Sequence, residues 1–323
     1  MPKQDDLAFV QDALALETQE ALSAGTLGFY GRVFCQCSLP YQDPGQLPLW
    51  SRQAGNLTLT VQPAVVAKEG GGVEARYPYG TLPRLLLVWL STETVRTKER
   101  RLVLGDSTSA FMRRIGLHIT GGQRGDIGRL RAQMERLFLS TIICRYDDPG
   151  QGRAAAARYD VADAYQLWWD TRDSPDQGSL FPSYVDLSER FFDEVLAHPV
   201  PLDLRAIELL RGSPLRLDIY TWLTYRMSYL RRRTSIPWEM LRYQFGSDRA
   251  NDRQGRWRFR KDFEAHLAKV LVLYRDARVE STDAGLVLLP SRPHVAAKSA
   301  PSSFGRLRTT SQPHERSTKR VER

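Results

Sequence analysis

The segment 213–289 constrains the fold most, because it contains three helix patterns followed by two short strand patterns. Its first helix begins at Ser213-Pro214, a cap followed by a first-turn proline. Its second helix begins at Ser235-Ile236-Pro237, and Gly246 is placed to end it. The third helix is basic, since six Lys or Arg residues stand against one acid in 249–261. Strand patterns then flank Asp283-Ala284-Gly285, which favours a hairpin.

The same order of elements occurs earlier in the chain. A first helix is predicted at about 81–94, a second begins at Ser107, and a third covers about 125–140. Strand-like segments at 142–146 and 165–169 follow, and the glycines and alanines of 147–158 favour a long turn between them. Each unit predicts a winged helix, and their succession indicates a repeat.

The predicted fold class is therefore α+β and mostly α, with two tandem winged-helix domains and a disordered basic C-terminal tail. Before the first unit, the pattern predicts a helix, loops and one strand at 57–61. The Ser, Pro, Asp and Gly residues of 173–182 favour an interdomain linker. The predicted divisions are an N-terminal extension packing on the first domain (1–76), a first winged-helix domain (77–172), a linker (173–202), a second winged-helix domain (203–290) and a tail (291–323).

The third helix of each unit has an apolar stripe on one face and small or basic residues on the other. Small residues let a helix backbone approach a groove wall, and basic residues meet phosphates or base edges. A solvated basic face is the simpler explanation of either helix alone, but its occurrence in both favours DNA contact. The predicted DNA-binding residues are Arg124, Gly125, Gly128, Arg129, Ala132 and Arg136 in the first unit, and Arg256, Arg258, Arg260, Lys261 and Ala265 in the second.

The charge distribution agrees with a nucleic-acid partner. The net charge of the chain is +9, and residues 291–323 hold eight basic and two acidic residues, hence +6 of it. The remaining +3 belongs to residues 1–290, whose positive charge is therefore concentrated on particular helices. The tail contains too few apolar residues to fold, so it is predicted to be disordered and to add nonspecific phosphate contacts or simply to be solvated.

No enzyme class finds its motif in this sequence. The glycine-rich Gly121-Gly122-Gln123-Arg124-Gly125 lacks the lysine of a phosphate-binding loop, and no two of the five histidines are spaced as the metal ligands of a DNA-nicking initiator. Cys35 and Cys37 have no second ligand pair at suitable spacing. We expect a non-enzymatic protein with no metal or cofactor. The apolar run 85–90 is too short to span a membrane, no signal peptide is recognisable, and three cysteines fit a reducing compartment, which predicts a soluble cytoplasmic protein.

Several word-like motifs resemble the plasmid replication initiator proteins of the RepA type. The resemblance covers roughly 25–289 and is carried by YPYGTLPRLLL at 77–87, TVRT at 94–97, FMRRIGL at 111–117, TGG at 120–122, RLRAQM at 129–134 and DIYTWLTYR at 218–226.

The resemblance implies an initiator that binds repeated sites, or iterons, in double-stranded DNA at a plasmid origin and helps to open it. It also implies a homodimer in equilibrium with origin-binding monomers, and contacts with the host initiator, helicase and chaperones. Two alternatives remain open at this stage. One is a winged-helix transcriptional repressor, and the other is an adaptor that binds protein instead of DNA.

Overall fold

The computed structural model describes residues 9, 12–13, 16, 20–105, 107–117, 126–167, 183–246 and 251–295. The predicted linker at 173–182 and the tail beyond residue 295 lie outside these ranges. Most of the helix predicted before residue 22 also lies outside them. The interdomain linker and the disorder of the tail therefore stay predictions.

The described helices begin mainly at side-chain caps. Ser107, Ser188, Ser213 and Asp252 each accept a hydrogen bond from a backbone N–H of the first turn, which satisfies a donor that the helix itself leaves unpaired. The helices are α1 (Arg32–Gln36), α2 (Thr81–Thr97), α3 (Thr108–Arg114), α4 (Asp126–Phe138), α5 (Glu189–Ala197), α6 (Leu204–Leu210), α7 (Pro214–Tyr229), α8 (Trp238–Phe245) and α9 (Arg253–Leu273).

The strands are short and widely distributed along the chain. They are β1 (Leu27–Gly31), β2 (Trp50–Ala54), β3 (Leu57–Gln62), β4 (Ala64–Ala67), β5 (Val73–Arg76), β6 (Arg101–Gly105), β7 (Thr141–Asp148), β8 (Arg153–Asp160), β9 (Ala162–Gln166), β10 (Ser183–Leu187), β11 (Pro199–Asp203), β12 (Thr234–Pro237), β13 (Val279–Ser281) and β14 (Gly285–Leu288).

All described strand pairs are antiparallel. A four-stranded sheet has the order β2-β3-β7-β8, and two two-stranded sheets join β1 to β11 and β4 to β5. Two three-stranded sheets have the orders β6-β10-β9 and β12-β14-β13. In each of these two sheets, the strand that comes last in the sequence lies in the middle and pairs with both of the others.

The predicted fold class, mostly α with two tandem winged-helix domains, is wrong. Helices contain 42% of the residues and strands contain 29%. The described ranges form nine helices and five sheets. The chain is α+β. In the first unit, β7 pairs with β3 and β8 instead of forming a hairpin with β9. Residues 153–158, predicted as part of a long turn, lie in strand β8.

The missing strands lack a local sequence signal. β8 carries alanine and charged residues and is exposed at all but one position, so it shows no apolar alternation. β6 and β10 are five residues long and pair with each other across about 80 residues, so neither has a hairpin-turn signal beside it. Helices α2, α3, α4, α7, α8 and α9 lie where the sequence predicted them, to within a few residues. Ser235-Ile236-Pro237, predicted as the start of α8, instead lies in strand β12.

One buried ion pair joins the two predicted halves of the chain. Arg84 of α2 donates from Nε to Asp218 Oδ1 of α7 at 2.7 Å and from Nη2 to Oδ2 at 2.8 Å. Its remaining donors reach the carbonyl oxygens of Leu39, Pro40 and Gly80. Both side chains are almost fully buried. The pair lies within a single cluster of buried apolar residues that draws on elements from both halves. The predicted domain boundaries stay predictions.

Candidate nucleic-acid interface

Helix α9 is fixed by its apolar face. Phe259, Phe263 and Leu267, spaced four residues apart, are buried, and the helix packs on α7 and α8. At its start, Asp252 Oδ1 accepts a hydrogen bond from Gly255 N at 2.6 Å, so the basic first turns begin at a defined place. A helix held in this way presents its opposite face as a rigid surface.

The opposite face of α9 carries most of the residues predicted from the sequence. Arg258, Lys261 and Ala265 are exposed on it, whereas Arg256 is exposed at the start of the helix, three residues before Phe259 and so on the side of the buried stripe. Trp257 lies between the two arginines with 59% of its surface exposed, and Lys261 Nζ is 5.1 Å from the centroid of its ring. We call Trp257, Arg258, Lys261 and Ala265 the α9 basic face. It combines positive charge, a small residue that permits close approach and an aromatic ring.

Arg260 has a different environment from its neighbours. It donates to Glu264 Oε1 at 3.1 Å and to Asp283 Oδ1 at 3.2 Å, and its guanidinium carbon is 5.2 Å from the Trp238 ring centroid. The hydrogen bonds to Glu264 and to Asp283 raise the pKa of Arg260 above its ordinary value. Arg260 therefore ties the turn of the β13–β14 hairpin to α9, and its charge is already balanced by two carboxylates.

Helix α4 shows the same division of faces. Leu130, Met134 and Leu137 are buried, and the helix packs on α2, α3 and β9. Gly128, Arg129 and Ala132 are exposed on the other side, as the helical wheel predicted. The predicted residues Arg124 and Gly125 lie outside the described residues.

Arg136, the last predicted residue of α4, contacts the N-terminal part of the chain. Its Nη1 donates to Asp43 Oδ2 at 2.8 Å and to the Tyr77 carbonyl oxygen at 3.2 Å. Its guanidinium carbon lies 5.1 Å from the Tyr79 ring centroid, and only 18% of the side chain is exposed. These contacts hold the segment before α2 against α4. A role of Arg136 in DNA contact stays a prediction.

Two features escaped the sequence predictions. Trp257 had a usable signal, because an aromatic residue between two arginines is typical of nucleic-acid contacts. The run Arg231-Arg232-Arg233 between α7 and β12 was visible as well, and all three residues are exposed.

Among the described residues, no group of three His, Cys, Asp or Glu side chains is arranged to hold a metal ion. Cys35, Cys37 and Cys144 are free and buried.

Comparison with known proteins identifies the family. The family described as plasmid encoded RepA protein matches residues 77–239, which is 163 of the 323 residues. The chain belongs to this family. It is a RepA-type plasmid replication protein, which confirms the resemblance seen in the sequence. The matched part of this RepA-type chain contains α4 and Arg84, and it ends within α8, before α9.

The other comparisons return nothing for this RepA-type chain. No curated protein and no solved structure match it. Within the described part of the chain, none of the helices has the length and apolar character needed to cross a lipid bilayer.

Proposed function

We propose that this RepA-type protein is a replication initiator that binds repeated sites at its plasmid origin in a sequence-specific way. One observation carries the proposal. The α9 basic face, with Arg258 and Lys261 both exposed, lies opposite a buried apolar face on a long helix. This arrangement supports insertion of α9 into the major groove, which is wide enough to admit an α-helix.

The chemistry of the face supports both binding and discrimination. An arginine fork donates two parallel hydrogen bonds to a guanine edge or to a phosphate, and a lysine offers a point charge to phosphates. Ala265, one turn after Lys261, leaves room for the groove wall. The exposed face of α4, with Gly128, Arg129 and Ala132, has the same composition and is proposed as a second contact with the origin.

The proposal includes the later steps of initiation. The initiator promotes opening of the origin and recruitment of the helicase, and it acts without catalytic chemistry of its own. Family membership further supports a dimer in equilibrium with monomers and contacts with the host initiator and chaperones. Incubation of supercoiled origin DNA with the purified protein should give no site-specific nick. A nick that a chelator abolishes would refute the non-enzymatic part of the proposal.

A footprint on origin DNA tests the assignment of α9. The variant Arg258→Ala/Lys261→Ala removes two charges from the α9 basic face. A bidentate base contact contributes about 1 to 3 kcal/mol, so we expect roughly 5-fold to 150-fold weaker protection of the repeats. The control Lys68→Ala/Arg96→Ala removes the same charge from exposed positions elsewhere and should protect as the wild type does.

Circular dichroism must show that both variants are folded. Wild-type protection by a folded Arg258→Ala/Lys261→Ala variant would contradict the α9 assignment. Equal affinity of the wild type for origin and scrambled DNA would contradict sequence-specific binding. No binding to either DNA would instead favour a protein-binding adaptor. Arg129→Ala tests α4 in the same assay, with an expected loss confined to part of the protected site.

A further inference from the structure

An open cleft lies where α7, α9 and the β13–β14 hairpin end. Its volume is about 550 Å³. We call it the arginine cleft, because three of its lining side chains are guanidinium groups. The lining residues are Leu230, Arg231, Asp276, Arg278, Pro290, Ser291 and Arg292.

The lining is positively charged. Arg231, Arg278 and Arg292 contribute three positive charges against the carboxylate of Asp276 in the lining and that of Glu20 beside Arg292. Arg292 Nη2 is 2.8 Å from Glu20 Oε1, in a pair whose two side chains are about two-thirds exposed. Arg278 donates to the Pro290 carbonyl oxygen, which fixes the position of its guanidinium without neutralising it. The cleft therefore offers three guanidinium groups, of which those of Arg278 and Arg292 are held in place by partners.

The positive charge extends beyond the cleft in both directions along the chain. Arg232 and Arg233 follow directly after Arg231 and are exposed. On the other side, residues 296–323 contain seven basic and two acidic residues and begin four residues after Arg292. The strand β12 that follows the arginine run carries no acidic residue. Among the described residues, a ligand of the cleft would thus meet further positive charge at Arg232 and Arg233.

The cleft is separate from the α9 basic face. Thr234 of β12 pairs with Leu288 at the cleft end of the sheet, whereas Pro237 pairs with Gly285 near the hairpin turn. That turn is tied to the first half of α9 by the pair between Arg260 and Asp283. From Lys261 to the end of α9 at Leu273 the helix rises by about 18 Å, at about 1.5 Å per residue. The two surfaces therefore lie at different ends of α9.

We propose that the arginine cleft binds phosphates of duplex DNA that flanks the site contacted by α9. Planar guanidinium groups match phosphate oxygens in a bidentate way. The cleft lacks aromatic anchors, and its apolar lining is confined to Leu230 and Pro290, which offers little to the side chains of a peptide. At about 3.4 Å per base pair, 18 Å corresponds to roughly 5 base pairs of flanking duplex. The inference rests on the proposed function only in taking DNA as the ligand.

Salt-dependent binding to two duplexes tests the proposal. One duplex covers a single protected repeat, and the other extends the same repeat on both sides. In the full-length protein, Arg231→Gln/Arg278→Gln removes two guanidinium groups from the cleft. We expect this variant to lose affinity for the extended duplex, with the slope of log K against log salt smaller by about 2, since each phosphate contact contributes about 0.9. On the short duplex its affinity should equal that of the wild type.

The matched control is Arg76→Gln/Arg96→Gln, which makes the same chemical change at positions away from the cleft. It should behave as the wild type on both duplexes. Wild-type affinity and slope of the cleft variant on the extended duplex would overturn the proposal. Competition by polyglutamate as effective as that by scrambled extended duplex would overturn DNA as the ligand.

The assay separates this inference from the proposed function. If the wild type fails to discriminate the repeat from a scrambled sequence, sequence-specific initiation fails. The wild type and the cleft variant are then compared on the short and the extended scrambled duplexes. A weaker affinity of the cleft variant for the extended duplex alone supports the inference, and equal affinities of the two proteins overturn it.

Discussion

Replacing Asp218 by Asn should destabilise the protein far more than an equivalent change at the surface. Asp218 accepts two of the five hydrogen bonds donated by Arg84, and both side chains are almost fully buried. Burial alone lowers the pKa of Arg84, but the charge of Asp218 and its hydrogen bond raise it above its ordinary value. A guanidinium group is not deprotonated in proteins, so Arg84 stays charged in the variant. It then lacks its counter-ion in a site without solvent.

The expected loss follows from that arrangement. The Asn oxygen retains one hydrogen bond, whereas the amide NH₂ faces the guanidinium. Removing one partner of a buried pair costs about 3 to 5 kcal/mol, a large share of a typical stability of about 5 to 15 kcal/mol. Urea unfolding followed by circular dichroism should show the midpoint lowered by about 1 M or more, if the m-value is about 3 kcal/mol/M.

Asp186 provides a control with the same geometry but without burial. Arg101 donates to its two oxygens at 2.7 Å each, and the Arg101 side chain is 62% exposed. Asp186→Asn should therefore lower the midpoint by only a small fraction of the Asp218→Asn shift, because exposed pairs are screened by water. The charge-free variant Arg84→Met/Asp218→Leu should be more stable than the sum of its single changes implies. Equal shifts for the two Asn variants, or additive losses in the double variant, would refute the reasoning.

Three further predictions concern other parts of the chain. Burial lowers the pKa of His294, whose Nδ1 is 2.8 Å from the Tyr220 hydroxyl oxygen. The neutral imidazole therefore contributes stability above about pH 6.5, the unfolded-state pKa, and this contribution is lost as the pH falls through the lower pKa of the folded state. The melting temperature should fall on acidification, and it should fall less in His294→Gln. Gly285→Ala should destabilise by about 3 kcal/mol or more in urea unfolding, because its Cβ would lie 2.0 Å from a backbone oxygen, whereas Gly150→Ala should be nearly neutral. Iodide should quench the fluorescence of exposed Trp257, and origin DNA should reduce this quenching in the wild type but not in Trp257→Phe. An equal reduction of quenching in the wild type and in the variant would exclude Trp257 from the interface.

The sequence was a good guide to helices and a poor one to sheets. The start of α7 at Ser213-Pro214 and of α3 at Ser107 could be predicted, since caps and apolar periodicity are local signals. Strand β6 could not, because its partner β10 lies some 80 residues away and only pairing gives β6 its structure. The error in fold class arose from these unseen pairings.

The candidate interface was predictable to the extent that it depends on helical periodicity. Lys261 and Arg129 lie on exposed faces because the opposite sides of their helices are apolar. Arg260 was predicted from the basic composition of the helix, but it is tied to Asp283 by the fold of the hairpin. A helical wheel contains no information about a neighbouring turn. The arginine cleft was equally beyond reach, since its lining comes from three segments that meet only in the folded chain.

The pairing of β1 with β11 has a consequence for synthesis on the ribosome. Gly31 must wait for Pro199, its partner in the sheet, and Arg84 must wait for Asp218. About 170 residues separate the first two, so at roughly 5 to 20 residues per second the earlier strand stays without its partner for about 8 to 34 s during translation. Through that interval the nascent chain exposes an unpaired strand and a future buried arginine, and holding chaperones would have their longest access to it then.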